Sequence, residues 1–150
     1  MDDRLFKTAM SKFTTGVTVV TTELENEVHG MTANAFLSVS LDPKLILVSV
    51  DNKARMKPVI EQAGSFAVSI LAEGHEDISM HFARQKEKED LALTNFAGLP
   101  TIDGAIATIA CDLYDTSVQG DHTLFIGKVK DVAVTDREPL VYYQGGYKKI

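Results

Sequence analysis

The sequence predicts a mainly β domain with short helices, an antiparallel barrel with helical insertions. Three observations lead there. β-Branched runs recur at short intervals, and the breaks between them are turn residues that suit hairpins. The helical patterns are short and do not alternate regularly with the strands, as they would in a doubly wound sheet. The tally is about six or seven strands with two or three helices between them. At 150 residues, 45% of them hydrophobic, residues 1–150 read as one domain with enough apolar content for a real core. No internal repeat, linker or low-complexity tract divides it.

The elements follow in order. Asp2 and Asp3 cap a first helix whose Leu5, Phe6, Ala9, Met10 and Phe13 recur at helical spacing; it is expected to pack on the sheet and to stop at Gly16. Gly16 to Leu24 is a β-branched strand, and the polar turn at Glu25-Asn26-Glu27 returns the chain as a hairpin into Gly30. Residues Gly30 to Pro43 crowd small residues and hydroxyl or amide side chains into a thinly covered ribbon. Leu45 to Val50 is a continuous apolar strand ended by Asp51-Asn52. Pro58 suits the first turn of a short helix that runs to about Ala63 and breaks at Gly64.

Ser65 to Leu71 is a further strand. Gly74 to Arg84 is a helix with Glu76 and Asp77 near its start and Ile78, Phe82 and Ala83 for an inner face. The charge-dense stretch Gln85 to Asp90 reads as a solvated loop, and Lys86 to Asp90 is a candidate lid. Ala105 to Val118 and His122 to Thr135 form a long hairpin broken at Gly120-Asp121.

Composition narrows the function. A net charge of -6 argues against a general nucleic-acid or anionic-membrane binder, which depends on a basic surface. The single cysteine, Cys111, closes no intrachain disulfide and is expected inside an apolar strand. There is no signal-peptide pattern at Met1-Asp2-Asp3-Arg4 and no bilayer-length apolar run, so the expected compartment is the cytoplasm.

Dinucleotide and phosphate-loop glycine fingerprints, a His-Glu-x-x-His pair and Cys-x-x-Cys are missing from the sequence. His75 and His81, six residues apart, fall on different faces of a helix, and no metal is expected. Binding-type features remain. Thr32, Asn34, Ser38 and Ser40 offer donors and acceptors, while Ala33, Ala35 and Val39 leave main-chain amides reachable, which suits a flat ring with several heteroatoms. A half-buried strand with polar residues outward is the alternative reading. Asn52, Lys53 and Arg55 follow an apolar strand in a turn where a terminal phosphate can be held, and His122 sits at a strand start beside Asp121.

Taken together, Gly16 to Thr22, Gly30 to Phe36, Ser38 to Pro43, Phe66 to Leu71, His81-Phe82-Ala83, Gly120 to Thr123 and Pro139 to Tyr143 resemble the flavin reductase-like family of FMN-binding split barrels. The match runs in order through nearly the whole chain. The family includes the reductase components of two-component flavin monooxygenases.

The resemblance implies a Greek-key split barrel and a homodimer with flavin in a groove near the subunit interface. It further implies hydride transfer from NADH or NADPH to FMN, with FAD admitted as well, and delivery of reduced flavin to an oxygenase or another acceptor. A non-catalytic FMN-binding or electron-transfer module on the same barrel is the rival.

Carried over residue by residue, Met31, Thr32, Ala33 and Asn34 with Ser38, Val39 and Ser40 would line the ring and ribityl chain. Asn52, Lys53, Ala54 and Arg55 with Phe82, Ala83 and Arg84 would surround the phosphate. His122 and Tyr147 would meet the nicotinamide nucleotide. Ala54 stands where many members carry a serine, so Lys53, Arg55 or a backbone amide would substitute for that hydroxyl. No acid, base or nucleophile is assigned, because the hydride transfer is the cofactor's own chemistry.

Overall fold

The structure, a computed structural model, describes residues 1–85, 88 and 90–150. Asp2 opens helix α1 (Asp3–Ser11) as an N-cap, its carboxylate accepting the Arg4 amide at 2.9 Å. The helix ends at Ser11, short of Gly16, because the chain goes extended into the two-residue strand β1 (Thr15–Gly16). β2 (Thr18–Leu24) and β3 (Glu27–Ala33) form the expected hairpin through Glu25 and Asn26, whose φ values of 53° and 64° match the right-handed twist of paired strands.

The thinly covered ribbon contains a strand of its own, β4 (Phe36–Leu41), which pairs antiparallel with β5 (Lys44–Asp51). Helix α2 (Met56–Ala63) has Pro58 in its first turn and is closed by Gly64 in the left-handed region, φ 71°. Strand β6 (Ser65–Ile70) follows, then α3 (Glu76–Phe82) and the small hairpin β7 (Leu93–Phe96) and β8 (Leu99–Ile102). The long hairpin is β9 (Ala107–Gln119) with β10 (His122–Val134), and the chain closes on β11 (Val141–Tyr143) and β12 (Gly146–Lys148). The extra strands at 93–102 and 141–148 are three or four residues each, too short to show a period, whereas 36–41 does alternate Leu37, Val39 and Leu41 with Ser38 and Ser40.

Seven strands make one antiparallel sheet in the order β3-β2-β6-β9-β10-β5-β4. Its outermost strands, β3 and β4, are consecutive in the chain and joined only by Asn34 and Ala35. Six strand spacings in a flat sheet would part those edges by about 29 Å, whereas the linker reaches about 11 Å at most. The sheet is therefore rolled, with a seam between β3 and β4 where neither strand ladders to the other. The Ser49 amide donates to Ala35 O at 3.1 Å and pins the crossing to β5.

Inside the roll, Val20, Val48, Val50, Phe66, Val68, Cys111 and Phe125 pack with Met56 and Ile60 of α2. Burial pushes the Cys111 thiol up to about 12, so it behaves as an apolar group. Outside the roll, Val17 and Val19 meet Leu71, Ile78 of α3, Ile102 and Leu140. Strand β2 is thus covered on both faces, which is why Thr18 and Thr22 are buried with their hydroxyls donated to Ala33 O and Ser65 O.

The expectation that α1 packs on the sheet is not met. Leu5, Phe6, Met10 and Phe13 remain 63, 53, 56 and 79% exposed. Their helical spacing marks an apolar face, but the outer surfaces that could receive it are already covered by α3, β8 and the C-terminal hairpin.

Helix α3 is anchored at its start by His75, whose Nδ1 accepts the Ala72 amide at 3.0 Å. Burial first, and the Arg137 charge second, lower the His75 pKa below its ordinary value. Above about pH 6.5 His75 is neutral folded or unfolded and its linkage is flat. Below that pH the unfolded chain takes up the proton more readily, so stability falls until the folded form titrates as well. Urea midpoints measured from pH 8 to pH 5 are expected to fall in the acid range, and His75→Gln, which takes no proton, is expected to flatten that part of the slope.

Candidate functional site

The seam leaves one side of the β3 backbone and one side of the β4 backbone outside the ladders. On β3, Met31 packs against the inner core, Ala33 is buried, and Thr32 donates its hydroxyl to Ser79 O of α3 at 2.6 Å. Asn34 is exposed at the crossing and borders two cavities. One, of about 730 Å³, is largely apolar and walled by Phe13, Gly16, Phe36, Leu37 and Leu47. The other, of about 200 Å³, is walled by Thr32, Ser79, Ala83, Tyr142 and Tyr147. On β4 the register shifts between Ser38 and Ser40, leaving Val39 as a bulge. Ser38, Val39 and Ser40 stand on the open edge rather than in the walls of these cavities.

A cationic cleft opens beside β3. Asp51 accepts the Lys53 amide on its side chain at 2.8 Å and the Ala54 amide on its carbonyl at 2.9 Å. This turn delivers Lys53, Ala54 and Arg55 to the start of α2. That helix end has no side-chain cap and no acidic residue in its first turn, so its positive end is uncompensated from within. The opposite wall is the end of α3: Phe82, and Arg84 in the left-handed region at φ 60°.

Phe82 lies so close to β3 that a Cβ on Gly30 would fall 2.6 Å from its ring, so only glycine lets α3 approach this far. The cleft between the walls holds about 430 Å³ and is lined by Gly30, Met31, Lys53, Ala54, Arg55, Met56, Phe82 and Arg84. It adjoins a further 290 Å³ bounded by Glu27, His29 and His81. Glu27 is 3.9 Å from both Arg55 and His29; the Arg55 contact is exposed on both sides and contributes little to stability, whereas the His29 ring is largely buried.

Asn52 faces away from this cleft. Its Oδ1 accepts the Thr123 hydroxyl at 2.6 Å, its Nδ2 donates to Gly120 O at 3.3 Å, and its amide donates to Asp121 O at 2.9 Å. All three bonds tie the β9–β10 turn to the end of β5. There His122 Nδ1 lies 2.8 Å from Asp121 Oδ1, a contact that holds the Asp121 carboxyl below the usual carboxylate range. Tyr147 is placed elsewhere, its hydroxyl 2.7 Å from Ser79 Oγ and its ring edge-on to Tyr142. None of these cavities has both His122 and Tyr147 in its wall.

Sequence reasoning missed His29, His81 and Ser79 as neighbours of the site. His29 was visible only as a polar residue before Gly30, and nothing in a short helix singles out a buried serine. Of the candidate lid, Lys86, Glu87 and Glu89 lie outside the described residues; the Lys88 amide donates to His81 Nδ1 at 3.2 Å.

Residues 10–150 match the model of the flavin reductase like domain. The chain is 42% identical over 146 residues to an NADH-dependent flavin reductase of a Rhodococcus species, covering 95% of this chain and 83% of that protein. It is also 42% identical to the reductase component of 4-hydroxyphenylacetate 3-monooxygenase from Thermus thermophilus, covering 97% of this chain and 95% of that protein. Among solved structures, the flavin reductase PheA2 in its native state superposes with a TM-score of 0.98 at 52% identity, covering 100% of this chain and 99% of that one.

Because Thr123 is buried, Asn52→Ala leaves a hydroxyl without its partner and is expected to cost about 1–3 kcal/mol in urea unfolding, whereas Asn52→Asp, which keeps the acceptor, should cost less.

Proposed function

The chain belongs to the flavin reductase-like family, and we propose that it holds its flavin across the seam between β3 and β4 with the phosphate in the cationic cleft. It is a nicotinamide-dependent flavin reductase, an oxidoreductase that reduces flavin for a monooxygenase or another acceptor. The observation that carries the site assignment is the pairing of an open strand edge bearing Gly30, Thr32, Ala33, Ser38 and Ser40 with two cations at an uncapped helix start, Lys53 and Arg55, and a third, Arg84, on the facing wall.

FMN is the flavin proposed. The main-chain amides of Met31 to Asn34 and of Ser38 to Ser40 meet the polar rim of its ring system. Lys53, Arg55 and Arg84, with the first amides of α2, take the phosphate, which makes up for the hydroxyl absent at Ala54. The cleft continues past the phosphate toward Glu27 and His29, so the longer FAD is accommodated too. Ala83 and Phe82 cover the ribityl side. Asn52 acts one step removed, fixing the turn that presents His122 to the nicotinamide.

Flavin supplies the ring that accepts hydride from the nicotinamide. The protein's part is to hold the two rings about 3–3.5 Å apart and to aim amide donors where negative charge builds up. No proton transfer by a side chain is required, which fits a site walled by amides, hydroxyls and guanidinium groups. Residues 1–150 act as one domain in this reading, and NADH is the proposed reductant.

A homodimer completes the assembly. The exposed Leu5, Phe6, Met10 and Phe13 of α1, together with Leu37 and the 730 Å³ apolar cavity beside Asn34, form a surface that a second copy covers. Reduced flavin then leaves for an oxygenase component.

Purified protein mixed with NADH and FMN is expected to lose absorbance at 340 nm; flavin binding without turnover on NADH or NADPH would reject the enzyme reading. Asn34→Ala is expected to raise the FMN Kd about ten-fold while His122→Ala raises the KM for NADH about ten-fold, each a loss of roughly 1.4 kcal/mol. Equal effects of both substitutions on both ligands would show that the assigned roles are wrong. In sedimentation, the wild type is expected as a dimer and Phe6→Asp with Phe13→Asp as a monomer.

A further inference from the structure

Helix α3 supplies one wall of the phosphate cleft, yet it has only seven residues, too few to hold its place by its own hydrogen bonds. Its position comes from its anchors. Ser79, 1% exposed, uses both its oxygens: the carbonyl accepts Thr32 Oγ1 at 2.6 Å, and Oγ lies 2.7 Å from Tyr147 Oη. Three residues on, Phe82 touches Gly30 of β3, and Arg84 follows at the cleft. Tyr147 belongs to the β11–β12 hairpin, which pairs with β1 and packs its ring on Tyr142. The opposite wall, Lys53 to Met56, is fixed separately by Met56 and Ile60 in the inner core.

We infer that Tyr147 is a positioning residue: through the Ser79 hydroxyl it sets how far α3 stands from β3, and so the width of the cleft between Arg84 and Arg55. The inference rests on the reading of that cleft as the phosphate site. It assigns the Tyr147 hydroxyl to the grip on the flavin's phosphate rather than to the nicotinamide. A change at the C-terminal hairpin reaches the cleft by moving one wall and not the other.

The test compares FMN with riboflavin, which has the same ring and chain but no phosphate. Equilibrium Kd values are taken from flavin fluorescence titrations of the wild type, Tyr147→Phe, Ser79→Ala, the double variant and Arg84→Ala, with thermal midpoints alongside and the KM for NADH. Tyr147→Phe is expected to raise the FMN Kd about five-fold, the range of one buried hydrogen bond, and to leave the riboflavin Kd in place. Ser79→Ala should do the same, and the double variant should add nothing further, because both remove one contact.

Loss of FMN preference in Arg84→Ala with none in Tyr147→Phe would overturn the inference and leave the phosphate site standing. An unchanged FMN-to-riboflavin ratio in Arg84→Ala would overturn the phosphate site and the inference together. An equal rise for both flavins, or a change confined to the KM for NADH, would also overturn it. A Tyr147→Phe protein with a wild-type thermal midpoint and a weakened FMN grip would separate positioning from mere stability.

Discussion

The two-residue crossing at Asn34 and Ala35 governs this molecule. It joins the two outermost strands of a seven-stranded sheet, and covalent reach alone forces that sheet to roll. A roll closed this way is complete in its core but unlaced at one place, since β3 and β4 meet at the crossing without forming a ladder. Exposed edges usually invite aggregation and are blunted by charge or covered. Here Gly30, Thr32, Ala33, Ser38 and Ser40 lie along the edge among larger neighbours such as Leu37 and Leu41, and they leave main chain accessible to a ligand rich in hydrogen-bonding groups.

The rest of the site follows from what the roll brings beside that edge. Helix α2, whose Met56 and Ile60 fill one end of the core, points its uncapped start at β3. Helix α3 lies against the outer face of β2 and β3, seated by Ile78 in the outer cluster and by Phe82 on Gly30. Two successive helices, separated in the chain by strand β6, thus become two walls of one cationic cleft. Burial of β2 on both faces is the packing counterpart: Val20 serves the inner core while Val17 and Val19 seat the elements that build the outer wall.

Division of labour among the polar residues is equally physical. Side chains that looked available in the sequence are partly spent on structure: Thr32 on Ser79, Asn52 on the β9–β10 turn, Tyr147 on α3. What remains open is mostly backbone and long cationic side chains at Lys53, Arg55 and Arg84. That combination suits a reaction in which the bound ring, rather than a protein acid or base, carries the electrons.

The β-rich class, the β2–β3 hairpin, α2 with its Gly64 stop, and the β9–β10 hairpin were legible in the chain, because β-branching, turn residues and caps act through nearest neighbours. The order of motifs from Gly16 to Tyr143 also pointed to the family whose model matches residues 10–150. Tertiary structure decided that β4 is a strand on an open edge and that α1 keeps its apolar face exposed. It also decided that Asn52 serves a turn while Ser79 and Tyr147 meet across a distance of 68 residues. Those outcomes depend on which surfaces the rolled sheet leaves uncovered, a property of the whole packing that no local pattern encodes.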